Sequence, residues 1–285
     1  GAGTQAAALV FGGNSGIATE EYNGVANTWS PGGNMITGRT RLAGAGTQTA
    51  ALAFGGAAPG LSNATEEYNG VAQTWSAGGN LAIPRYYLAG AGTQTAGLAF
   101  GGRAPGITAA TEEYNGVANT WSPGGNLATP RFTLAGAGTQ TAGLAFGGTT
   151  PQESNATEEY NGVAQTWSAG GNLILARENI AGAGTQTAGL AFGGRNPAVQ
   201  PATEEYNSSI WSAAPANMIT GRRDLAGVGT QTAALAIGGR DPAATAATEE
   251  WAANPGTSFT QAFDFDGSTG ITTVKNLIQT SNEAL

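Results

Sequence analysis

The chain of 285 residues contains no cysteine and no histidine, and only 11% of its residues are charged. Without cysteine, no disulfide framework can form. Without histidine as well, Ser-His-Asp, HExxH and Cys₂His₂ chemistry is excluded. No apolar run approaches the roughly 18 residues of a membrane span, and no signal-peptide pattern is visible. We therefore expect no catalytic residues, no metal site and no cofactor.

Basic residues are also scarce. Lysine and arginine together number 11 against 19 aspartates and glutamates, which gives a net charge of −8. Binding to nucleic-acid phosphates needs a basic surface, and docking on an anionic membrane does too. We expect no nucleic-acid partner and no membrane insertion.

Glycine, in contrast, is abundant, with 47 residues. Glycine suits tight turns and closely approaching backbones, whereas it destabilises helices. The pentapeptide GxGTQ recurs six times, at steps of 43, 46, 46, 46 and 45 residues. A period of about 46 residues is typical of the four-stranded blade of a β-propeller. The repeats begin at Gly1, Gly44, Gly90, Gly136, Gly182 and Gly227.

The third repeat shows how each unit is expected to fold. The predicted strands are Tyr86–Gly92, Ala96–Phe100, Thr111–Tyr114 and a fourth strand that carries Trp121. Asn115-Gly116 is a strong turn signal between the last two strands. The fold class is therefore all-β, a six-bladed propeller with four antiparallel strands per blade. We assign residues 1–267 to the propeller and 268–285 to a C-terminal closing segment or tail, which completes the first blade or packs across it.

Aromatic residues recur at three fixed places in the repeat. Six-fold recurrence favours packing between blades over a ligand site, since each buried ring removes roughly 150–250 Å² from water. Phe259 is expected to replace the tryptophan of the sixth unit. The tryptophans assigned a structural role are Trp29, Trp75, Trp121, Trp167 and Trp211.

Paired glutamates and a single arginine also recur in the repeats. Adjacent strand residues point to opposite faces, so the two carboxylates of a pair cannot act together as acid and base. We expect one of each pair to contact an arginine and to fix blade geometry; a Ca²⁺-binding carboxylate ring is the alternative. The residues assigned to these contacts are Glu21, Glu67, Glu113, Glu159 and Glu205, with Arg39, Arg85, Arg131, Arg177 and Arg222.

A glycine pair, a Glu-Tyr and a following tryptophan, as in Gly147-Gly148, Glu159-Tyr160 and Trp167, together resemble the kelch repeat. The resemblance covers roughly residues 1–267 and implies a propeller. Galactose oxidase, an enzyme of that type, needs histidine and cysteine, which this chain lacks. The Asp-box of six-bladed sialidases is missing too, and the glycines of GAGTQTAG lack the strand and helix context of a dinucleotide site.

The wording AGAGTQTAALAFGG followed by ATEEYNG is similar to kelch-like repeats of tailed bacteriophage proteins, notably of marine cyanobacteria. This resemblance implies a non-enzymatic virion protein of the tail or capsid surface, with other virion proteins and a host-surface glycan or protein as partners. A cellular or secreted interaction scaffold is the alternative, and a glycan-active enzyme is a minor one.

The loops that follow the glycine pairs differ in every repeat. Variable loops on rigid blades commonly form binding surfaces. An acidic partner or a glycan would meet basic and polar side chains there. The candidate binding-loop residues are Arg103, Arg195, Arg240, Asn155 and Asn63.

Overall fold

The computed structural model describes residues 1–14 and 16–253, together with the backbone of Ala262–Phe263. These residues form six sheets of four antiparallel strands, which are the six blades of a β-propeller. The predicted fold class is confirmed. The boundary at residue 267, the segment 268–285 and the substitution of Phe259 for tryptophan all lie outside the described residues.

Within each blade the strands run in chain order from the innermost to the outermost. The first blade comprises Ala2–Gly3, Ala8–Phe11, Thr19–Asn23 and Thr28–Pro31. The second comprises Ala43–Gly46, Ala50–Phe54, Thr65–Asn69 and Thr74–Ala77. The third comprises Ala89–Gly92, Gly97–Phe100, Thr111–Asn115 and Thr120–Pro123.

The other three blades repeat this plan. The fourth comprises Ala135–Gly138, Gly143–Phe146, Thr157–Asn161 and Thr166–Ala169. The fifth comprises Ala181–Gly184, Gly189–Phe192, Thr203–Tyr206 and Trp211–Ala213. The sixth comprises Ala226–Gly229, Ala233–Ile237, Thr248–Ala252 and Ala262–Phe263. Three small hairpins follow the glycine pairs of the second, third and fourth blades, at Ala57–Ala58 with Gly60–Leu61, Arg103–Ala104 with Gly106–Ile107, and Thr149–Thr150 with Gln152–Glu153.

The first blade takes all four of its strands from residues 2–31. Ala262–Phe263 pairs instead with Thr248 and Glu249 as the outermost strand of the sixth blade. The expectation that the C-terminal segment completes the first blade or packs across it concerns residues 268–285, which lie outside the described residues. The first and sixth blades also meet directly, through a hydrogen bond of 2.8 Å from Gln5 to the carbonyl of Trp251.

Small residues form the innermost strands because these strands crowd together around the axis. A Cβ on Gly90 would lie 2.6 Å from the ring of Phe54 and 2.8 Å from the carbonyl oxygen of Gly44. The inner strand of the third blade is also shorter than predicted, beginning at Ala89 rather than Tyr86. Tyr87 has a φ of 55°, and this left-handed conformation turns the chain away from the sheet.

The hydrophobic core lies between adjacent blades. Leu52 and Phe54 of the second blade pack against Ala99 and Tyr114 of the third, and the same cluster recurs around the ring. In the first five blades the tryptophan of the outermost strand touches the tyrosine of its own blade, and its indole donates to a threonine of the preceding blade, as in Trp121 to Thr65 at 2.9 Å. The aromatic columns are thus core, as six-fold recurrence indicated.

The two ends of the propeller differ. We call the end with the hairpin turns between the first and second and between the third and fourth strands the turn face. The opposite end carries the loops after the glycine pairs and the connectors, which are the segments joining one blade to the next. We call that end the connector face.

Candidate functional site

Each repeated arginine is buried in a connector and holds the following blade. Arg131 donates to the carboxylate of Glu158 at 2.9 Å and to the carbonyls of Gly147 and Ala156 at 2.9 and 2.6 Å. Burial lowers the pKa of the Arg131 guanidinium, and the neighbouring Glu158 opposes that shift. The arginine therefore pins the loop between the second and third strands to the connector.

The carboxylate in these contacts is the first glutamate of each pair, rather than the second. The pairs are Arg39–Glu66, Arg85–Glu112, Arg131–Glu158, Arg177–Glu204 and Arg222–Glu249, at 2.8–3.3 Å. Each of these glutamates also accepts hydrogen bonds from two connector N–H groups. The assignment of Glu21, Glu67, Glu113, Glu159 and Glu205 to the arginine contacts is thus corrected.

The second glutamate of a pair joins neighbouring blades in another way. It accepts a hydrogen bond from the tyrosine hydroxyl of the next blade, at 2.6–2.8 Å. These bonds are Tyr68 to Glu21, Tyr114 to Glu67, Tyr160 to Glu113, Tyr206 to Glu159 and Tyr22 to Glu250. Glu205 differs because Trp251 stands in the tyrosine position, and burial raises the pKa of Glu205.

These tyrosines predict a specific alkaline transition. Burial, followed by the bond to Glu21, raises the pKa of Tyr68 to about 12, and similar causes raise the pKa of Tyr206 to about 12. An unfolded tyrosine titrates near ~10. Since the folded pKa is the higher one, the stability linked to these groups is complete below pH ~10 and is lost as pH rises to ~12.

Urea unfolding midpoints should therefore fall steeply across that window, while tyrosinate absorbance appears only with unfolding. Tyr68→Phe should shrink the fall, and tyrosinate appearing near pH ~10 in the folded chain would contradict this account.

Two of the candidate loop residues have structural partners. The side-chain amide of Asn63 donates to the carbonyl of Leu81 at 3.1 Å, and that of Asn155 donates to the carbonyl of Leu173 at 3.2 Å. Both asparagines therefore hold a connector in place, and their donors are directed into the protein.

The connector face carries a belt of backbone hydrogen bonds. One residue in each of the five described connectors adopts a left-handed conformation, with φ between 52° and 57°. From the second of these connectors onward, the N–H of this residue donates to the carbonyl oxygen of the corresponding residue in the preceding connector. The four bonds are 3.0–3.1 Å long and join the residues in the order Arg41, Tyr87, Thr133, Asn179, Asp224. The belt brings together side chains that are about 45 positions apart in the sequence.

The preceding residue of each connector bridges to the first residue after a glycine pair. The bridges are Thr40–Ala57, Tyr86–Arg103, Phe132–Thr149, Glu178–Arg195 and Arg223–Arg240. Every blade from the second to the sixth thus presents three adjacent side chains on this face. They belong to the two residues that follow the buried connector arginine and to the first residue after the glycine pair. Their identities differ in every blade, whereas on the turn face the turns between the third and fourth strands of the first four blades all read NGVAN or NGVAQ.

On one side of the face the three-residue sets form an aromatic patch, which we define as Arg41, Tyr86, Tyr87, Arg103 and Phe132. The guanidinium of Arg41 lies 4.7 Å from the Tyr87 ring centroid, and that of Arg103 lies 5.1 Å from the Phe132 centroid. Tyr86 and Tyr87 are 5.1 Å apart, and Tyr87 and Phe132 are 6.1 Å apart. The rings are half-buried and Arg41 is exposed. Neither arginine pairs with a carboxylate among the described residues.

On the other side two of the three basic side chains, those of Arg195 and Arg240, are paired with carboxylates, whereas Arg223 has no ion pair among the described residues. Arg195 bonds to Glu178, which also accepts from the hydroxyl of Thr149. Arg240 donates to Asp224 at 2.6 Å. Of the three arginines predicted to contact a partner, the structure brings only Arg103 into the aromatic patch.

Sequence reasoning missed Arg41, Tyr86, Tyr87 and Phe132. A signal for them was present: the two positions between the repeated arginine and the following leucine or isoleucine read TR, YY, FT, EN and RD. They vary in every copy between residues that hardly vary. The loops after the glycine pairs were the more visible difference because they are longer.

No described residue belongs to a helix able to cross a bilayer. Over residues 1–14 and 16–253, no three acidic side chains are grouped as metal ligands. The first glutamates of the second to sixth blades are instead taken up by arginines and connector N–H groups.

Comparison with known proteins gives a fold relationship. No family model matches the chain, and no curated protein sequence does either. Among solved structures, that of YjhT superimposes with a TM-score of 0.71 over 88% of this chain and 93% of the other. The two sequences are 12% identical, so the similarity is one of fold. This chain is a six-bladed β-propeller of a kind that the YjhT structure also shows.

Proposed function

We propose that this protein is a non-enzymatic binding and adhesion protein that recognises its partner through the aromatic patch of the connector face. The observation that carries the proposal is the departure of this patch from six-fold repetition. The equivalent positions of successive blades hold side chains of different chemistry here, while the strands beneath them repeat from blade to blade. The patch residues at these positions are Arg41, Tyr86, Tyr87, Arg103 and Phe132.

The chemistry of the patch fits an acidic glycan. Flat, half-exposed rings can stack on the apolar face of a sugar ring, and tyrosine adds a hydroxyl at low entropic cost. The hydroxyls of Tyr86 and Tyr87 have no hydrogen-bond partner in the described part of the chain. Arg41 and Arg103 lie over rings, an arrangement that leaves guanidinium N–H groups available to a carboxylate or sulfate. Neither of these two guanidinium groups pairs with a carboxylate among the described residues, although the chain has a net charge of −8.

We further propose that the protein works in a phage virion, on the tail or capsid surface, as a kelch-like repeat protein. The proposal is supported by the resemblance of the repeat sequence, AGAGTQTAALAFGG with ATEEYNG, to kelch-like repeats of tailed bacteriophage proteins. Detection of the chain in purified particles would distinguish it from the alternative, a cellular or secreted interaction scaffold with the same fold. Turnover of a bound glycan would favour the glycan-active enzyme instead.

Binding should depend on the patch and not on the rest of the surface. Tyr87→Ala and Arg41→Ala should each weaken binding to a carboxylated or sulfated polysaccharide by about tenfold or more, equivalent to about 1.4 kcal/mol. Binding should also weaken with salt, because exposed charges are screened beyond ~10 Å at ~0.1 M. Affinity is measured by calorimetry over a panel of neutral and acidic polysaccharides.

Val117→Ala is the matched control, because Val117 is 95% exposed on the turn face. It should leave the affinity unchanged. If the patch variants bound as well as the parent, or if a turn-face variant abolished binding, the connector face would not be the recognition surface. Binding of a purified virion protein in place of any polysaccharide would identify a joining role.

A further inference from the structure

Four of the five buried connector arginines anchor the loop after the glycine pair of the next blade in the same way. One Nη atom donates to the carbonyls at both ends of that loop at 2.6–3.0 Å, and the other donates to the first glutamate at 2.8–2.9 Å. The arginines and their two carbonyl partners are Arg39 with Gly55 and Ala64, Arg131 with Gly147 and Ala156, Arg177 with Gly193 and Ala202, and Arg222 with Gly238 and Ala247.

Arg85, which lies at the base of the loop in the third blade, departs from this arrangement. Its side chain is fully buried, yet its Nη1 atom has no hydrogen-bond partner among the described residues. Its Nη2 atom donates to the carbonyl of Ala99 at 3.3 Å and lies 3.3 Å from the carboxylate of Glu112. The carbonyls of Gly101 and Ala110 are thus not bonded to Arg85, and a buried donor is left unpaired at a cost in free energy.

The same loop lacks a second anchor. In the second and fourth blades an asparagine near the end of the loop donates to the following connector, from Asn63 to Leu81 and from Asn155 to Leu173. The third blade has Ala109 at the equivalent position, and its side chain cannot donate. We call residues 101–110 the third-blade loop.

The third-blade loop carries Arg103 of the aromatic patch. The ties that remain to it are backbone hydrogen bonds: the N–H of Leu127 donates to the carbonyl of Ala109 at 2.9 Å, and Arg103 and Tyr86 exchange two bonds of 2.9 and 3.1 Å. The Arg103 guanidinium lies over the Phe132 ring. Movement of this loop would therefore shift a basic group of the patch and leave the strands beneath it in place.

We propose that the third-blade loop is a flap over the aromatic patch, and that a bound ligand holds it closed by completing the anchor from Arg85 to the carbonyls of Gly101 and Ala110. This inference rests on the proposed function of the patch. Closure gives the buried guanidinium the two acceptors that its four counterparts already have. Arg85 is then a positioning residue, because it acts on the ligand only through Arg103.

Hydrogen exchange in the free chain tests how firmly the flap is held. The N–H of Thr108 donates to the carbonyl of Gly102 at 2.9 Å, and that of Ser154 donates to the carbonyl of Gly148 at 2.8 Å, so the two amides are matched. After correction for intrinsic rates, Thr108 should exchange at least about tenfold faster, because opening its loop breaks fewer side-chain bonds. Equal rates would overturn the proposal.

A pair of reciprocal variants moves the missing anchor between blades. Ala109→Asn should slow the exchange of Thr108 to within about threefold of Ser154, because an asparagine there can donate to the carbonyl of Leu127. Asn155→Ala should instead speed the exchange of Ser154 and leave Thr108 unchanged. If Ala109→Asn left the exchange of Thr108 unaltered, anchoring by side chains would not control the loop.

Alginate and dextran sulfate, a carboxylated and a sulfated polysaccharide, test the closure. A saturating amount of either one that binds should slow the exchange of Thr108 at least about tenfold and change that of Ser154 by no more than about twofold. Arg85→Met should abolish this selective slowing and weaken binding several-fold. Arg177→Met is the control, because Arg177 is equally buried but lies in a connector outside the patch.

Equal slowing of both amides, or binding that Arg85→Met leaves unchanged, would overturn the closure. Failure of both polysaccharides to bind would instead remove the proposed function, and with it the role of the loop as a cover for the ligand. The two failures are distinguishable, because the exchange rates of Thr108 and Ser154 in the free chain do not depend on any ligand.

Discussion

Arg131→Met is expected to lower the free energy of unfolding by about 3–5 kcal/mol, the cost of leaving one member of a buried ion pair without its partner. Arg131 is fully buried, and Glu158 is 4% exposed. Without the guanidinium, the carboxylate keeps only the N–H groups of Ala128 and Thr129, and the carbonyls of Gly147 and Ala156 lose a shared donor. The measurement is urea unfolding followed by tryptophan fluorescence.

A second variant separates the charge from the packing. Arg131→Met with Glu158→Gln removes both charges, while the amide oxygen still accepts from the connector. We expect the double variant to regain at least half of the lost stability, because replacing both members of a buried pair costs less than removing one. A loss below about 1 kcal/mol in the single variant would show that the arginine is not an architectural element.

Trp121→Ala is the second change with a large expected effect, again about 3–5 kcal/mol. The indole lies 5.0 Å, centroid to centroid, from both Phe54 and Tyr114, and so bridges the second and third blades. Its N–H donates to the hydroxyl of Thr65 at 2.9 Å. Truncation leaves a cavity beside the fully buried Phe54 and an unpaired threonine hydroxyl.

Trp121→Phe distinguishes the two contributions. It keeps a ring and loses the hydrogen bond, so we expect a loss of about 1–2 kcal/mol. Val117→Ala, in the exposed turn of the same hairpin, should change stability by less than about 0.5 kcal/mol. If Trp121→Ala cost under about 1 kcal/mol and abolished ligand binding, the tryptophan would belong to a surface site.

Repetition made the architecture readable from the sequence. Six copies of a unit of about 46 residues predict six blades, and an aromatic residue at the same place in five or six copies has to serve the contact that every blade makes. The glycine and alanine of the inner strands follow from the same reasoning, since six strands converge on one axis. These predictions need only periodicity and side-chain size.

The pairing of the glutamates could not be read in this way. Alternation along a strand says that Glu158 and Glu159 point to opposite faces. It does not say which face meets the arginine of the connector and which meets the tyrosine of the next blade. That choice depends on where the connector lies on the following blade, which is set by packing between segments distant in sequence.

The aromatic patch is the clearest case of the same limit. Composition, period and residue spacing by themselves determined an all-β ring in which the core positions repeat from blade to blade and the net charge is negative. Only the tertiary structure placed Arg41, Tyr86, Tyr87, Arg103 and Phe132 side by side, because closing the ring brings equivalent positions of successive connectors together while they remain some 45 residues apart along the chain. A repeat specifies its own fold locally, but a surface shared by several repeats exists only once the circle is formed.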